Sequence, residues 1–180
     1  MVLIYKERTK SDFEGTIIDI ETIGNFADFN NSRRYKDIEP VIFGFIHSEG
    51  LSIYCAKSVK SINKLKRKIS LILDMLNRPF CAFNSNFERS VFFHSINKKV
   101  IFERELNKDQ YESKGSAVLK LGISQYGDPF NDNGILCMDA WLRGELKKAI
   151  AHNRSCLLKE RDILLKRGFR EPDELEFVDI

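Results

Sequence analysis

The sequence has few of the residues that interrupt regular structure, with 4 prolines and 10 glycines in 180 residues. This scarcity excludes collagen-like and low-complexity chains, which are rich in such residues. An excess of charge of one sign is also lacking, since 29 Lys and Arg face 26 Asp and Glu, for a formal net charge of +3. A net charge this small permits a polyanionic partner without requiring one. The composition therefore indicates a folded globular protein and leaves the class of partner open.

Cysteine is scarce and widely spaced. The four cysteines are Cys55, Cys81, Cys137 and Cys156. No two of them form a Cys-x-x-Cys pair, so the spacing predicts neither a zinc knuckle nor a disulfide framework. No apolar run approaches the roughly 18 residues of a membrane span, and the run after Met1 is too short for a secretory signal. We therefore expect reduced thiols in a cytoplasmic protein that makes no contact with a membrane.

The length and the apolar content predict one domain. Hydrophobic residues make up 43% of the chain and include 14 Phe, which is enough for one sizeable core. We expect a single domain over residues 1–180, with the acidic tail, residues 170–180, loosely held.

Hydrophobic patterning predicts alternating strands and helices. Residues 16–21 form a β-branched run that is typical of a buried strand. Between residues 58 and 77, apolar side chains recur at steps of three and four, which is typical of an amphipathic helix. Further strands are predicted at residues 41–47, 51–55, 80–83 and 135–139, and further helices at residues 86–96, 114–121, 140–148 and 152–167. This order predicts an α/β protein with a mixed sheet covered by helices on both faces.

Two carboxylates stand in the first predicted strand. Asp19 and Glu21 are two residues apart, so their side chains point to the same face of the sheet. Two ionised carboxylates a few ångströms apart repel each other unless they are protonated or paired with cations. Carboxylate oxygens suit hard ions such as Mg²⁺ or Mn²⁺. The pair indicates a metal site, and the alternative is a strand end at which both groups reach water or meet Arg or Lys.

Two later segments place polar residues near helix starts. Asn84 follows a predicted strand, and Glu88 falls in the first turn of the next helix, where a carboxylate also simply complements the helix dipole. His152 and Cys156 are four residues apart and share one helix face. Taken singly, each segment has an ordinary structural explanation, because helix starts often carry capping or surface residues of these types.

Taken in order, the segments TIIDIET, AFNSNFE and AHNRSCLLKE resemble the three motifs of the DEDD-type 3′-to-5′ exonucleases. The nearest resemblance is to the predicted exonucleases related to the proofreading domain of family B DNA polymerases. Asp19 and Glu21 match the first motif, Asp-x-Glu. Residues 84–88 resemble the second, Asn-x-x-Phe-Asp, with Glu in place of the final Asp, and His152 resembles the opening of the third. The resemblance covers residues 14–167.

The third motif departs from the pattern of the family. Its spacing places a carboxylate where this chain has Cys156. Glu160 lies one turn further along the same helix face, and because helical side chains lean toward the N-terminus its carboxylate could reach back. Asp139, at the end of the preceding predicted strand, is another substitute. A third alternative is that nothing substitutes and the site binds metal poorly or not at all.

The resemblance implies a ribonuclease H-like fold and a metal-dependent exonuclease that hydrolyses single-stranded 3′ ends of DNA or RNA. It also implies two Mg²⁺ or Mn²⁺ ions that activate a water and stabilise the leaving 3′ oxygen. The residues implied for catalysis are Asp19, Glu21, Glu88 and His152, of which His152 orients or deprotonates the attacking water. Those implied for metal binding are Asp19, Glu21, Glu88 and Glu160, and those for substrate binding are Asn84, Phe87 and Arg154.

Two other functions are compatible with the sequence. One is a non-catalytic module that keeps the exonuclease fold without its fourth carboxylate and recognises nucleic acid or a protein. The other is an unrelated α/β domain whose acidic pairs lie on its surface. The sequence contains no P-loop, dinucleotide fingerprint or nucleophile elbow, so ATPase, dehydrogenase and esterase functions have no support.

Overall fold

The computed structural model describes residues 1–178, and its centre is one mixed β-sheet. The six strands are β1 (Val2–Arg8), β2 (Thr16–Ile23), β3 (Glu39–His47), β4 (Gly50–Ala56), β5 (Phe80–Ala82) and β6 (Arg104–Glu105). Their order across the sheet is β1-β4-β3-β2-β5-β6. The first four strands pair antiparallel, whereas β2 with β5 and β5 with β6 pair parallel. The predicted mixed sheet is therefore confirmed.

Residues 1–178 also form five α-helices. They are α1 (Ile62–Leu73), α2 (Ser85–Ile96), α3 (Lys114–Lys120), α4 (Gly134–Leu142) and α5 (Leu146–Arg167). Successive residues of a strand point to opposite faces of the sheet. In β3, Phe43 packs against Phe92 of α2 with ring centroids 6.2 Å apart, whereas the next residue, Gly44, faces Asn153 of α5. Helices thus cover both faces. None of the helices in this described part of the chain has the length and apolar character needed to cross a membrane.

Gly44 allows α5 to approach the sheet closely. A Cβ atom on Gly44 would lie 2.0 Å from Asn153 Oδ1 and 2.9 Å from Leu157 Cδ1. The antiparallel register places Gly44 opposite Asp19 of β2. The absence of a side chain at this position therefore determines how near the polar residues of α5 come to Asp19.

The strand predicted at residues 135–139 is wrong, because these residues lie in the first two turns of α4. A short apolar run does not by itself distinguish a buried strand from a helix. The side-chain oxygen of Asn133 accepts hydrogen bonds from the backbone N–H groups of Ile135 and Leu136. This cap satisfies N–H groups that a helix start leaves without partners, and so favours the helix.

Other elements differ from the predictions mainly at their ends. The strands predicted at 41–47 and 51–55 are β3 and β4, which pair antiparallel as a hairpin. The predicted helices at 140–148 and 152–167 are divided differently, since α4 ends at Leu142 and α5 already begins at Leu146. Gly144, with a φ of 77°, stands between them in a conformation that glycine adopts without strain. β1 and β6 lie where no strand was predicted.

The C-terminal segment 171–178 contains no helix or strand but contacts the rest of the chain. Just before it, the backbone of Arg170 pairs with that of Glu105 in β6. The ring of Phe177 packs against Phe93 of α2 with centroids 5.1 Å apart. Residues 179 and 180 of the predicted loose tail lie outside the described residues.

Candidate functional site

A cavity of about 370 Å³ beside β2 collects side chains from three distant segments of the chain. β2 contributes Asp19 and Glu21, the first turn of α2 contributes Glu88, and α5 contributes His152. The residues implied by the exonuclease resemblance that line this acidic cavity are Asp19, Glu21, Asn84, Phe87, Glu88 and His152. The fold therefore brings together at one place most of the residues that the three motifs suggested.

The carboxylates of this acidic cavity are buried. The exposed fractions of Asp19, Glu21 and Glu88 are 6%, 9% and 4%. Burial raises the pKa of Glu21 to about 7, although the charge of His152 acts in the opposite direction. Burial also raises the pKa of Glu88 well above its usual value, and the charge of Asp19 adds to the effect. Buried carboxylates of this kind need either a proton or a cation beside them.

A lysine ammonium lies between two carboxylates of this region. Lys114 Nζ of α3 is 2.8 Å from Asp19 Oδ1 and 2.5 Å from Glu160 Oε1. Burial lowers the pKa of Lys114, but the charges of Asp19, Cys156 and Glu160 and the hydrogen bond to Asp19 together more than offset this, so the pKa is raised and the ammonium is retained. Among residues 1–178, no lysine or arginine forms an ion pair with Glu21 or Glu88. Lys114 therefore compensates the negative charge of Asp19 and Glu160. Glu21 and Glu88 need another cation or a proton.

The candidates for the fourth carboxylate occupy different places. Glu160 is fully buried and shares Lys114 with Asp19, but it does not line the acidic cavity. Burial raises the pKa of Glu160 well above its usual value, and Lys114 opposes that rise. Cys156 does line the cavity, whereas Asp139, on α4, does not. Among these candidates, Cys156 thus brings a thiol to the cavity, whereas Glu160 contacts Lys114 outside its lining.

Asn153 is a residue of the site that the sequence analysis missed. Its Nδ2 donates to Asp19 Oδ2 at 2.6 Å and to Glu21 Oε1 at 3.4 Å. The same atom lies 3.3 Å from the backbone oxygen of Asp19. Asn153 is fully buried against Gly44, so it fixes both carboxylates of β2 from the side of α5. The only signal for it in the sequence is its place next to His152.

Asp128 orients His152 and was also missed. His152 Nδ1 donates to Asp128 Oδ1 at 2.7 Å, and Lys159 Nζ lies 2.8 Å from Asp128 Oδ2. The other ring nitrogen, Nε2, lies 3.8 Å from Glu21 Oε1. Burial lowers the pKa of His152, but the charges of Glu21 and Asp128 more than offset this and raise it above its usual value. Asp128 lies in the glycine-containing connection between α3 and α4. The residues there follow no helical or strand period, so the sequence pattern did not single out Asp128.

Arg154 lies away from the acidic cavity. Its guanidinium Nη2 is 2.8 Å from Glu7 Oε1 of β1, and its Nη1 donates to the backbone oxygen of Tyr126 at 3.5 Å. Residues two apart in a helix point to nearly opposite sides. Since His152 faces the cavity, Arg154 faces β1, and the structure does not bring it to the other implied substrate-binding residues.

Comparison with known protein families finds no match, and comparisons with curated proteins and with solved structures find no similar protein. The function is therefore argued from the side chains of this chain and their geometry.

The raised pKa of Glu21 predicts that stability falls as the pH rises. The group has an ordinary pKa of 4.5 and a pKa of about 7 in the folded protein. Between these values the folded state binds more protons than the unfolded state, so the free energy of unfolding decreases with increasing pH. We expect a decrease of up to about 3 kcal/mol from this group. Urea unfolding in EDTA between the two pKa values measures this decrease in the free energy of unfolding.

The Glu21→Gln variant should show a smaller decrease with pH, because its side chain does not titrate. Glu14→Gln is the matched control, since the Glu14 side chain is 79% exposed. The prediction is wrong if the free energy of unfolding of Glu21→Gln changes with pH as much as that of the wild type. Glu21 would then have the same pKa in the folded and the unfolded protein.

Proposed function

We propose that the protein is a metal-dependent phosphodiesterase that removes nucleotides from single-stranded 3′ ends, a 3′-to-5′ exonuclease. The observation that carries the proposal is the meeting of Asp19, Glu21, Glu88 and His152 in one cavity. These residues come from segments up to 133 positions apart in the sequence, which makes their convergence informative. An acidic cavity with one oriented histidine suits hydrolysis of a phosphodiester.

We further propose that the fold is ribonuclease H-like. Support comes from β2, which carries Asp19 and Glu21 at the interior of the sheet. It pairs with antiparallel β3 on one side and with parallel β5 on the other. The connection after β5 leads directly into α2 and Glu88. The segments that carry Asp19 and Glu88 are therefore adjacent, which supports the proposed fold.

The side chains of the acidic cavity fit hard divalent cations. Asp19, Glu21 and Glu88 supply carboxylate oxygens, the preferred ligands of Mg²⁺ and Mn²⁺. Within residues 1–178, the buried atom Glu88 Oε2 has no hydrogen-bond partner. A buried polar atom without a partner is expected where a ligand binds. Glu160 becomes available as a further ligand only when Lys114 leaves it. The bound ions would activate a water and stabilise the leaving 3′ oxygen.

His152 is placed to hold a proton near the acidic cavity. The hydrogen bond from Nδ1 to Asp128 fixes the ring and leaves Nε2 on the side of Glu21. Nε2 can accept the proton of a water that lies in the cavity, and the raised pKa favours the protonated form that results. Asn153 meanwhile holds Asp19 and Glu21 in place through its amide.

An apolar cavity of about 450 Å³ adjoins the acidic one. This cavity favours a single-stranded substrate over a double-stranded one. The two cavities share Glu21 and Phe87 in their linings. The apolar cavity is also lined by Phe26, whose ring centroid lies 5.3 Å from the guanidinium carbon of Arg34. Unpaired bases stack on aromatic rings while nearby cations contact phosphates. The terminal base can therefore occupy the apolar cavity while its phosphate lies in the acidic one.

A 5′-labelled single-stranded oligonucleotide tests the proposal. With Mg²⁺ or Mn²⁺ we expect a ladder of products shortened from the 3′ end, and with EDTA we expect none. Asp19→Asn should lower the rate by more than about 100-fold, since changes to outer-shell partners of a metal already cost about 10- to 100-fold.

Asp139→Asn is the matched control and should keep the rate of the wild type, because Asp139 does not line the cavity. Cleavage that continues in EDTA, or that is unchanged in Asp19→Asn, would contradict the proposal. So would the complete absence of cleavage by folded protein with either metal.

The position of Lys114 favours a second candidate function, a non-catalytic module that binds nucleic acid. Its ammonium lies between Asp19 and Glu160, where it supplies the positive charge that a metal would otherwise bring. Fluorescence anisotropy with labelled single strands at two salt concentrations distinguishes the two functions. Binding that weakens with salt and is independent of metal, without degradation, would favour the module.

A further inference from the structure

Three side chains with different ligand atoms meet at one part of the acidic cavity. Glu21 offers a carboxylate oxygen, His152 a ring nitrogen and Cys156 a sulfur, and these atoms all lie within 4.8 Å of one another. All three residues are buried and all three line the cavity. His152 and Cys156 are one turn apart on α5, and Glu21 faces them from β2. Two elements of the fold, each rigid in itself, therefore present these ligand atoms to one point.

Two of the three separations between the ligand atoms are close to those of a tetrahedral metal site. His152 Nε2 is 3.8 Å from Glu21 Oε1 and 3.7 Å from Cys156 Sγ. Zn²⁺ bonds of about 2.0 to 2.3 Å at tetrahedral angles require ligand atoms about 3.4 to 3.6 Å apart. The two distances that involve His152 exceed these by only a few tenths of an ångström, and the third pair, Glu21 and Cys156, lies within 4.8 Å. Small side-chain adjustments are thus enough to close the site around an ion.

The surroundings of His152 supply the outer support that metal sites need. A histidine that binds a metal almost always donates its other ring N–H to a carboxylate, a backbone carbonyl or a water. Here Nδ1 donates to Asp128 Oδ1 at 2.7 Å, which leaves Nε2 as the acceptor beside Glu21 and Cys156. Asp128 is itself held by Lys159 and by the backbone N–H groups of Phe130 and Asp132. The fold thus favours the tautomer of the neutral ring that binding requires, and in the protonated ring a bound ion displaces the proton of Nε2.

We propose that Glu21, His152 and Cys156 bind one transition-metal ion of the Zn²⁺ class, with a fourth position open to the cavity. One oxygen, one nitrogen and one sulfur ligand suit Zn²⁺, whereas Mg²⁺ avoids sulfur. Binding releases to solvent the thiol proton of Cys156 and any proton held by the carboxylate of Glu21 or by Nε2 of His152. The site shares Glu21 and His152 with the proposed nuclease centre, but it requires neither Asp19 nor Glu88. Metal binding at this site can therefore be tested separately from the nuclease activity.

Titration of the metal-free full-length protein with Co²⁺ alone tests this site. We expect one equivalent to bind and to give the near-ultraviolet charge-transfer absorption of a cobalt–thiolate bond, and Zn²⁺ to displace the cobalt. Cys156→Ser should abolish this absorption and weaken Zn²⁺ binding, measured by competition with a chromophoric chelator, by at least about 100-fold. Cys55→Ser is the matched control, since Cys55 is also buried but lies in β4 outside the group, and it should keep the absorption.

Two further variants keep the result interpretable. Glu21→Gln should keep the thiolate absorption and bind Zn²⁺ more weakly, which tests the site even if Cys156→Ser fails to fold. Asp19→Asn should keep the absorption in full, so that failure of the nuclease proposal and failure of this one give different results. Absence of the absorption in folded wild-type protein, or its persistence in Cys156→Ser, would overturn the proposal.

Discussion

Replacing Lys114 by methionine should destabilise the metal-free protein by about 3 to 5 kcal/mol at neutral pH, the usual cost of removing one partner of a buried ion pair. Lys114 Nζ contacts both Asp19 and Glu160, whose side chains are 9% and 1% exposed. Methionine keeps most of the volume of the side chain but leaves both carboxylates without this cation. The folded protein must then either hold uncompensated charge or take up protons.

The dependence of this stability loss on pH and on Mn²⁺ distinguishes an electrostatic cause from a packing defect. Burial already raises the pKa of Glu160, so acid pH, which protonates the group, should reduce the loss of stability in Lys114→Met. Mn²⁺ should raise the melting temperature of Lys114→Met more than that of the wild type, because a bound ion replaces the missing positive charge and stabilises only the folded state. Urea unfolding and thermal melts with and without Mn²⁺ measure both effects.

Lys120→Met is the matched control, since Lys120 is an exposed residue of the same helix, α3. Its stability should stay within about 0.5 kcal/mol of the wild type. If Lys114→Met behaves like Lys120→Met, the ion pairs of Lys114 do not compensate the buried carboxylates, and the electrostatic account of the site is wrong.

Replacing Lys159 by methionine should have a comparable effect, a loss of about 3 to 5 kcal/mol, on the other side of His152. Lys159 is fully buried, and its Nζ lies 2.8 Å from both Asp128 Oδ2 and Asp132 Oδ1. Burial raises the pKa of Asp128, but the hydrogen bonds from His152 and Lys159 more than offset this and hold it well below its usual value. Without Lys159, Asp128 loses one of the groups that keep it ionised, and the only lysine among them.

A double-mutant cycle with Asp128→Asn measures this coupling. Once Asp128 is uncharged, the loss of Lys159 removes less stabilisation, so the double variant should lose less stability than the sum of the two single variants. Lys166→Met, an exposed position of the same helix, is the control and should be close to the wild type. Strict additivity of the two single changes would show that Lys159 does not stabilise the protein through Asp128.

The acidic residues of the cavity were predictable because local periodicity places them. The two-residue repeat of a strand puts Asp19 and Glu21 on one face, whatever the rest of the fold. Glu88 follows a strand and lies in the first turn of a helix, and both elements are visible in the hydrophobic pattern. The pattern also predicted that His152 and Cys156 share a helix face. These inferences need only the geometry of single elements.

The partners of those residues were not predictable in the same way. Lys114 lies 95 positions after Asp19, and Asp128 lies in a connection without any period. The strand predicted at 135–139 shows the same limit, because a short apolar run has no period that distinguishes strand from helix. Only the packing of α4 and α5 against the sheet, and of α3 against α5, brings these charged groups within hydrogen-bond distance of the site.

The amino-acid sequence by itself determined the order of strands and helices over residues 16–96. It also determined the side of each element on which Asp19, Glu21, Glu88 and His152 lie, because side-chain direction within an element follows from its backbone repeat. The tertiary structure alone decided which charges meet. It placed the Lys114 ammonium between Asp19 and Glu160, and Cys156 beside Glu21 and His152. Electrostatic interactions and metal coordination depend on distances of a few ångströms between groups far apart in the chain, and those distances are set when the elements pack together.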